Sequence, residues 1–406
     1  MSRPPLKTWP CNSPMLPYGR QTIDQADIAA VVEVLRSDWL TTGPAVPRFE
    51  EAIAAFTGAR YGVAVSSGTA AVHTAMYAAG IGPGDEVIVP PITFVATANA
   101  VVFQGGTPVF ADVDSETLLL DPTAAEARIT PRTKAIIAVD YAGQPCDYLA
   151  LRAIADRHGL LLIADACHSL GATYRGRPVG TLADLTVFSF HPVKHITTGE
   201  GGMVVTERDD FRDRMTAFRN HGIDTDHRQR AERGSWYYEM QDLGYNYRIT
   251  DFQCALGLSQ LSKLPEWLER RRAIATGYAA ALATIPLVRR VRVRAEVTHA
   301  YHLYPVRVNF QAFGIDRTQL FQQLREQGIA VNVHYIPVHL HPFYQRRFGT
   351  APGLCPAAEA AYAELLSLPM FPAMTDAQVG HVTNSLRMLS SRDTPTAGAQ
   401  AFTPSG

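Results

Sequence analysis

Cysteine is scarce and unpatterned in this chain: Cys11, Cys146, Cys167, Cys254 and Cys355 lie far apart, in odd number and without metal-ligand spacing. That speaks against a disulfide framework and against a cysteine-held metal, and the expectation is reduced thiols in a cytosolic protein. Long apolar runs are missing too: no stretch of about 18 uninterrupted apolar residues, the length a membrane helix needs, is present. The first residues include Pro4, Pro5 and Lys7 where a secretion signal requires an apolar segment. Nor does one sign of charge prevail, since 37 Lys and Arg face 38 Asp and Glu. No net field of that size draws a chain to nucleic acid or to an acidic membrane, so neither is expected as a partner. No internal repeat is visible, and a cytoplasmic location is expected.

What is present is 406 residues, 47% of them hydrophobic, enough for one large α/β domain and a smaller one. Residues 1–20 are rich in Pro and polar side chains, and 391–406 in Ser, Thr, Ala, Pro and Gly, so an arm and a flexible tail are expected there. Between them, short β-branched runs at 62–66, 86–90, 108–112, 135–140, 160–164, 185–190 and 202–206 alternate with amphipathic helical stretches. Seven strands in that rhythm predict a mostly parallel sheet covered on both faces, within a large domain spanning 21–255. From 256 to 390 the pattern becomes a smaller α+β domain. It has a long charged helix through 266–272, strands at 288–294, 302–309 and 329–336, and a last helix capped by Thr375.

In open α/β sheets, ligands sit outside the carboxyl ends of the strands, and the residues there are unusually polar. Ser66-Ser67-Gly68-Thr69-Ala70-Ala71 runs from a strand into a helix, whose free N–H groups suit a phosphate; taken alone, an ordinary strand-to-helix turn with a Ser or Thr cap is the plainer reading. Asp165 ends an apolar strand, where a buried carboxylate needs a cationic partner such as a protonated pyridine nitrogen, or else serves as a cap. His168, three residues on, could bond a cofactor ring or cap the next helix. Ser189-Phe190-His191-Pro192-Val193-Lys194 leads into Thr197-Thr198-Gly199-Glu200-Gly201-Gly202. A lysine in this Gly- and Thr-rich loop is poorly explained by solvation alone and suits a Schiff base, which needs a partly desolvated amine; a surface lysine in a flexible loop is the alternative. His334, Tyr335 and His339, and Arg219 and His221, could reach a substrate; packed or interfacial side chains are the more ordinary reading of such residues. For Arg228 and Arg230, in the basic loop 228–233 before Trp236, Tyr237 and Tyr238, a solvated face is preferred to a diphosphate cover.

Together these segments resemble the sugar aminotransferases of the DegT/DnrJ type, fold type I enzymes that use pyridoxal 5'-phosphate (PLP). The resemblance covers roughly 20–390 and includes Thr41-Thr42-Gly43-Pro44, Ser67-Gly68-Thr69, Thr93-Phe94-Val95, Asp165 with His168, Ser189 to Lys194, Glu200-Gly201-Gly202 and Gly244-Tyr245-Asn246-Tyr247-Arg248. It implies that Lys194 holds the cofactor covalently, Asp165 faces the ring nitrogen, Phe94 stacks on the ring and His168 lies near it. It further implies that Gly68, Thr69 and Ser189 hold the phosphate, joined by Asn246 of a neighbouring subunit in a homodimer with shared sites, and that no metal takes part. Alignment on Ser189 and Glu200 puts Lys194, not the adjacent His195, at the cofactor position, which favours transamination over the dehydration run by a histidine-bearing branch. Pro91 to Asn99, Val139 to Gly143, Ser189 to Thr198 and Val333-His334-Tyr335 resemble a narrower branch. It moves an amino group from L-glutamate to carbon 4 of a UDP-linked 4-keto-6-deoxy-N-acetylhexosamine on the route to pseudaminic acid. The alternatives kept open are another nucleotide keto-sugar (dTDP-linked or 3-keto), a sugar dehydratase, and a PLP-binding regulator without activity.

Overall fold

A computed structural model describes residues 15–223, 225, 230 and 234–390. The tail expected at 391–406, residues 1–14 of the arm and the 228–233 loop apart from Arg230 lie outside the described residues.

Nine strands punctuate the first half: β1 (Tyr61–Val65), β2 (Glu86–Val89), β3 (Thr107–Phe110), β4 (Thr133–Val139), β5 (Leu161–Asp165), β6 (Thr173–Tyr174), β7 (Arg177–Pro178), β8 (Leu185–Ser189) and β9 (Gly202–Thr206). Seven of them form one sheet in the order β1-β9-β8-β5-β4-β2-β3. Only β9 runs opposite to the other six, pairing antiparallel with both β1 and β8. The seven expected strands are these seven. The residues of β2 and β9 are buried along their whole length, which requires cover on both faces, and helices such as Gly68–Ala78 and Tyr148–His158 provide it. This is the fold type I architecture.

The second half contributes β10 (Val288–Arg290), β11 (Val297–Thr298), β12 (Tyr304–Val308) and β13 (Leu365–Leu368). β10, β12 and β13 make a small antiparallel sheet, and β11 joins β6 and β7 beside the large one. A second apolar core forms under the small sheet from Val306, Val308, Leu320, Leu324, Leu366, Val382 and Leu386. The connection between the cores is the helix Asp251–Leu282, whose Leu261, Leu264 and Leu268 belong to the first core and Ile274, Tyr278 and Leu282 to the second. Thr250 and Gln253 start it with a reciprocal capping box.

The strand expected over 329–336 does not form. Ile329 makes one bridge to Leu16 and Asn332 one to Ser367. The alternation of Ile, Val and His reads as a strand, but the carbonyl of His334 accepts from the Tyr141 hydroxyl at 2.6 Å instead of joining a ladder. The segment lies extended along the site rather than within a sheet.

Asp251 does two jobs at once. Besides opening the long helix, its buried carboxylate accepts from the N–H groups of Gly43 at 2.7 Å and Ala45 at 2.9 Å, where no side chain caps the helix Ala45–Thr57. Replacing Asp251 by Ala strands those donors, and about 2–3 kcal/mol of stability is expected to be lost. Equilibrium urea unfolding of D251A measures it.

Candidate active site

The carboxyl ends of β2, β5 and β8 open onto one cavity of about 600 Å³. Each supplies a different chemistry because each strand ends on a different residue type. β1 turns at Ser67 into the helix Gly68–Ala78; the Ser67 hydroxyl accepts from Ala70 N at 3.1 Å, and Gly68 and Thr69, in the first turn where N–H groups lack helical partners, line the cavity. Gly68 is required by a close approach: a Cβ there would lie 2.8 Å from both Cβ and Oγ of Ser189 at the end of β8. Two hydroxyl-bearing strand ends and a helix N-terminus thus meet with no intervening side chain.

Asp165 ends β5 and is buried. Thr97 donates to its Oδ2 at 2.6 Å, Thr93 donates to Thr97 at 2.7 Å, and the Cys167 N–H reaches its Oδ1 at 3.3 Å. No Lys or Arg pairs with it among the described ion pairs, so one hydroxyl, itself held by a second, and one amide stand where a buried carboxylate ordinarily needs a cation. Lys194, from the loop after β8, lines the same cavity. Burial lowers its ammonium pKa, with Cys167 and Asp165 acting in the opposite sense. Its neighbour His195 is turned the other way, its Nε2–H donating to Ala300 O at 3.2 Å. Phe94, half exposed, stands at the rim with its ring 6.1 Å from that of Tyr335.

Across from these lie His168, Tyr335 and His302. The Tyr335 hydroxyl is 3.2 Å from His168 Nε2, whereas His168 Nδ1 is buried without a partner. Burial, then the nearby Lys194 charge, pushes the His168 pKa well below the usual value, so its ring is neutral. His334 also lines the cavity, its Nδ1 2.9 Å from the Ser367 hydroxyl. Gly68, Thr69, Phe94, Asp165, His168, Ser189, Lys194, His334 and Tyr335 are therefore brought together. Arg219 and His221 are not: they line a separate cavity of about 770 Å³, where the Arg219 guanidinium pairs with Glu50 and donates to Ala64 O at 2.7 Å. Asn246 is exposed outside the Lys194 cavity, in a single bridge to Asn220. His339 is buried against Glu359, 2.8 Å away, also outside it.

Sequence reasoning missed Tyr18, Thr93, Thr97, His302 and Asn332 of the lining. Thr93 and Thr97 were within reach of the strand-end rule, since they follow β2 one helical turn apart. Tyr18 and His302 carry no local signal; chain folding alone delivers them.

The residues fit a phosphorylated pyridine aldehyde. A phosphate matches the Gly68 and Ser189 cradle, a protonated ring nitrogen supplies the cation Asp165 lacks, and a desolvated amine stands in the same cavity to condense with an aldehyde. Comparison with known proteins agrees. The site and fold define a sugar aminotransferase that uses PLP. Residues 21–387 match the DegT/DnrJ/EryC1/StrS aminotransferase family, to which the chain belongs. It is 43% identical to the spore coat polysaccharide biosynthesis protein SpsC of Bacillus subtilis, over 92% of this chain and 96% of that protein. Among solved structures it resembles Helicobacter pylori PseC, an aminotransferase involved in the biosynthesis of pseudoaminic acid, with TM-score 0.86 and 34% identity over 92% of this chain and 99% of that one. The PLP form of Spr1654, a sugar aminotransferase of Streptococcus pneumoniae, gives TM-score 0.86 and 31% identity over 93% and 98%.

Two outcomes are expected. Gly68→Ala forces Ser189 aside and should weaken PLP binding by about tenfold or more, read by absorbance titration, with little change in unfolding. Burial holds the pKa of His73 and His334 down to about 4, below the ordinary imidazole value of 6.5. Between about 4 and 6.5 the unfolded chain therefore binds more protons than the folded one, and stability falls as pH drops through that window. Urea midpoints at pH 7 and 4.5 test this, and His334→Gln should flatten the dependence.

Proposed function

We propose that this enzyme transfers an amino group from L-glutamate to carbon 4 of a UDP-linked 4-keto-6-deoxy-N-acetylhexosamine, making a 4-amino sugar for pseudaminic acid or a related surface glycan. The observation that carries the chemistry is the convergence of Lys194, Asp165 and the Gly68 and Ser189 cradle on one cavity. The sugar assignment draws its support from the likeness to PseC and from the short motifs shared with that branch.

Bound PLP supplies an electron sink for the carbon that loses or gains the amine. Lys194 holds the cofactor until the donor displaces it. Its freed Nζ then removes a proton from the donor's α-carbon and, in the second half of the cycle, returns one at carbon 4 of the sugar, a shuttle that needs one group within hydrogen-bond reach of both carbons. The Asp165 carboxylate keeps a proton on the ring nitrogen, with Thr97 and Thr93 fixing its orientation. Gly68, Thr69 and Ser189 hold the phosphate, Phe94 flanks the ring, and His168 with Tyr335 borders its far edge. His334 and Tyr335 present polar atoms to the sugar. The chain works as a cytoplasmic homodimer in which Asn246 of each subunit completes the phosphate site of the other, which accounts for its position outside its own cavity. Arg219, paired with Glu50, and His221 belong to the neighbouring cavity rather than to the sugar's immediate surroundings.

Lys194→Ala is expected to abolish both turnover and the visible band of the covalently held cofactor. Incubation of the native enzyme with glutamate and a panel of UDP- and dTDP-4-keto-6-deoxy sugars, read by mass, tests the substrate. Nitrogen at carbon 4 of the UDP-linked N-acetylhexosamine is the expected product. Amination of a dTDP-linked sugar alone, or loss of water without amine uptake, overturns the substrate reading.

A further inference from the structure

His302 has no place in the roles above, yet no other imidazole is hydrogen-bonded to the Lys194 amine among the described residues. Its Nε2 lies 3.4 Å from Lys194 Nζ. The ring is 4% exposed, and its Nδ1 is buried without a partner. A second imidazole, His168, lies 4.3 Å away between ring centroids. The backbone that carries His302 is pinned from behind: the fully buried Arg271 donates through Nη1 to the carbonyls of Tyr301 at 3.0 Å, His302 at 3.4 Å and Met370 at 3.2 Å. Three backbone carbonyls around a buried guanidinium make a rigid mount, not a flexible loop.

We propose that His302 is a positioning residue for Lys194: its Nε2 accepts a hydrogen bond from the Nζ amine and holds it in one orientation between the two carbons it serves. This rests on the reading of Lys194 as the proton-moving amine. A side chain with four rotatable bonds, released from the cofactor at every turnover, otherwise samples many rotamers, and misplacement by about 1 Å costs on the order of 10²-fold in rate. For Nε2 to accept, the ring hydrogen must sit on Nδ1, the atom left unpartnered, so the stranded donor is the cost of keeping the acceptor aimed at Lys194. Burial and the neighbouring Lys194, His168, His195 and Arg271 all act against a charge on His302, which keeps the acceptor lone pair free. The groups acting on Lys194 itself are Asp165 and Cys167.

The test uses the full-length holoenzyme converted by L-glutamate to its pyridoxamine form, in which Lys194 is free. Competitive acetylation across pH, read on the Lys194 peptide by mass spectrometry, gives the midpoint of its amine. His302→Leu removes the acceptor that stabilises the ammonium, so the midpoint should fall by about one pH unit, and the single-turnover rate with glutamate by about 10²-fold. His302→Gln places an amide oxygen near the Nε2 position and should restore the midpoint and most of the rate; it also guards against a Leu variant that fails to fold. An unchanged midpoint in H302L with a rate within about threefold of native, or an H302Q variant as impaired as H302L, overturns the positioning role. Borohydride trapping of the resting enzyme separates the two readings: an adduct on a lysine other than Lys194 overturns the assignment of Lys194, and this inference with it.

Discussion

A buried carboxylate without a cation of its own is the interaction on which this site depends. Asp165 is held at the end of β5 by hydroxyls and one amide, which orient it without neutralising it. Such a group is costly in an apolar sheet unless the missing charge arrives from outside. A protonated pyridine ring would supply that charge, and on the proposed reading cofactor binding and the electrostatics of the sheet edge satisfy each other.

The rest of the site follows from strand direction. Because β2, β5 and β8 run the same way, their carboxyl ends share one edge, and three distant pieces of chain deliver hydroxyls, carboxylate and amine to it. β9 reverses direction between β1 and β8, and its Gly202 is forced by proximity: a Cβ there would sit 2.3 Å from the carbonyl oxygen of Ser67. Packing at the sheet's edge thus holds the phosphate turn in place. The same economy appears at Asp251, the first residue of one helix, whose carboxylate takes the N–H groups at the start of another.

Above that edge stands a wall of neutral imidazoles and a tyrosine, His168, His302, His334 and Tyr335. Burial keeps these rings uncharged, so the wall offers acceptors and donors without opposing the Lys194 ammonium or the cofactor's positive ring. With neutral groups on this side, the protonation of the amine is balanced between burial, which disfavours the ammonium, and Asp165 with Cys167, which favour it, as suits a residue that must both give and take a proton. Arg271 serves this wall from behind by fixing the Tyr301 and His302 backbone.

The sequence by itself determined the seven-stranded sheet and the aminotransferase class, and strand-end polarity pointed to Gly68, Asp165, Ser189 and Lys194, which the structure gathers around one cavity. Strand periodicity and strand-end polarity are local properties, written in neighbouring residues. It misjudged 329–336, whose alternating pattern makes only single bridges and whose His334 carbonyl is taken by the Tyr141 hydroxyl, and it passed over Tyr18, His302 and the Thr93–Thr97 relay. Only the tertiary structure decided that His195 turns to the Ala300 carbonyl, that Arg219 is committed to Glu50 in a different cavity, and that a histidine 108 residues beyond the lysine reaches its amine. Those facts depend on which way a loop turns and on which distant segments meet, and neither is encoded in any one stretch of chain.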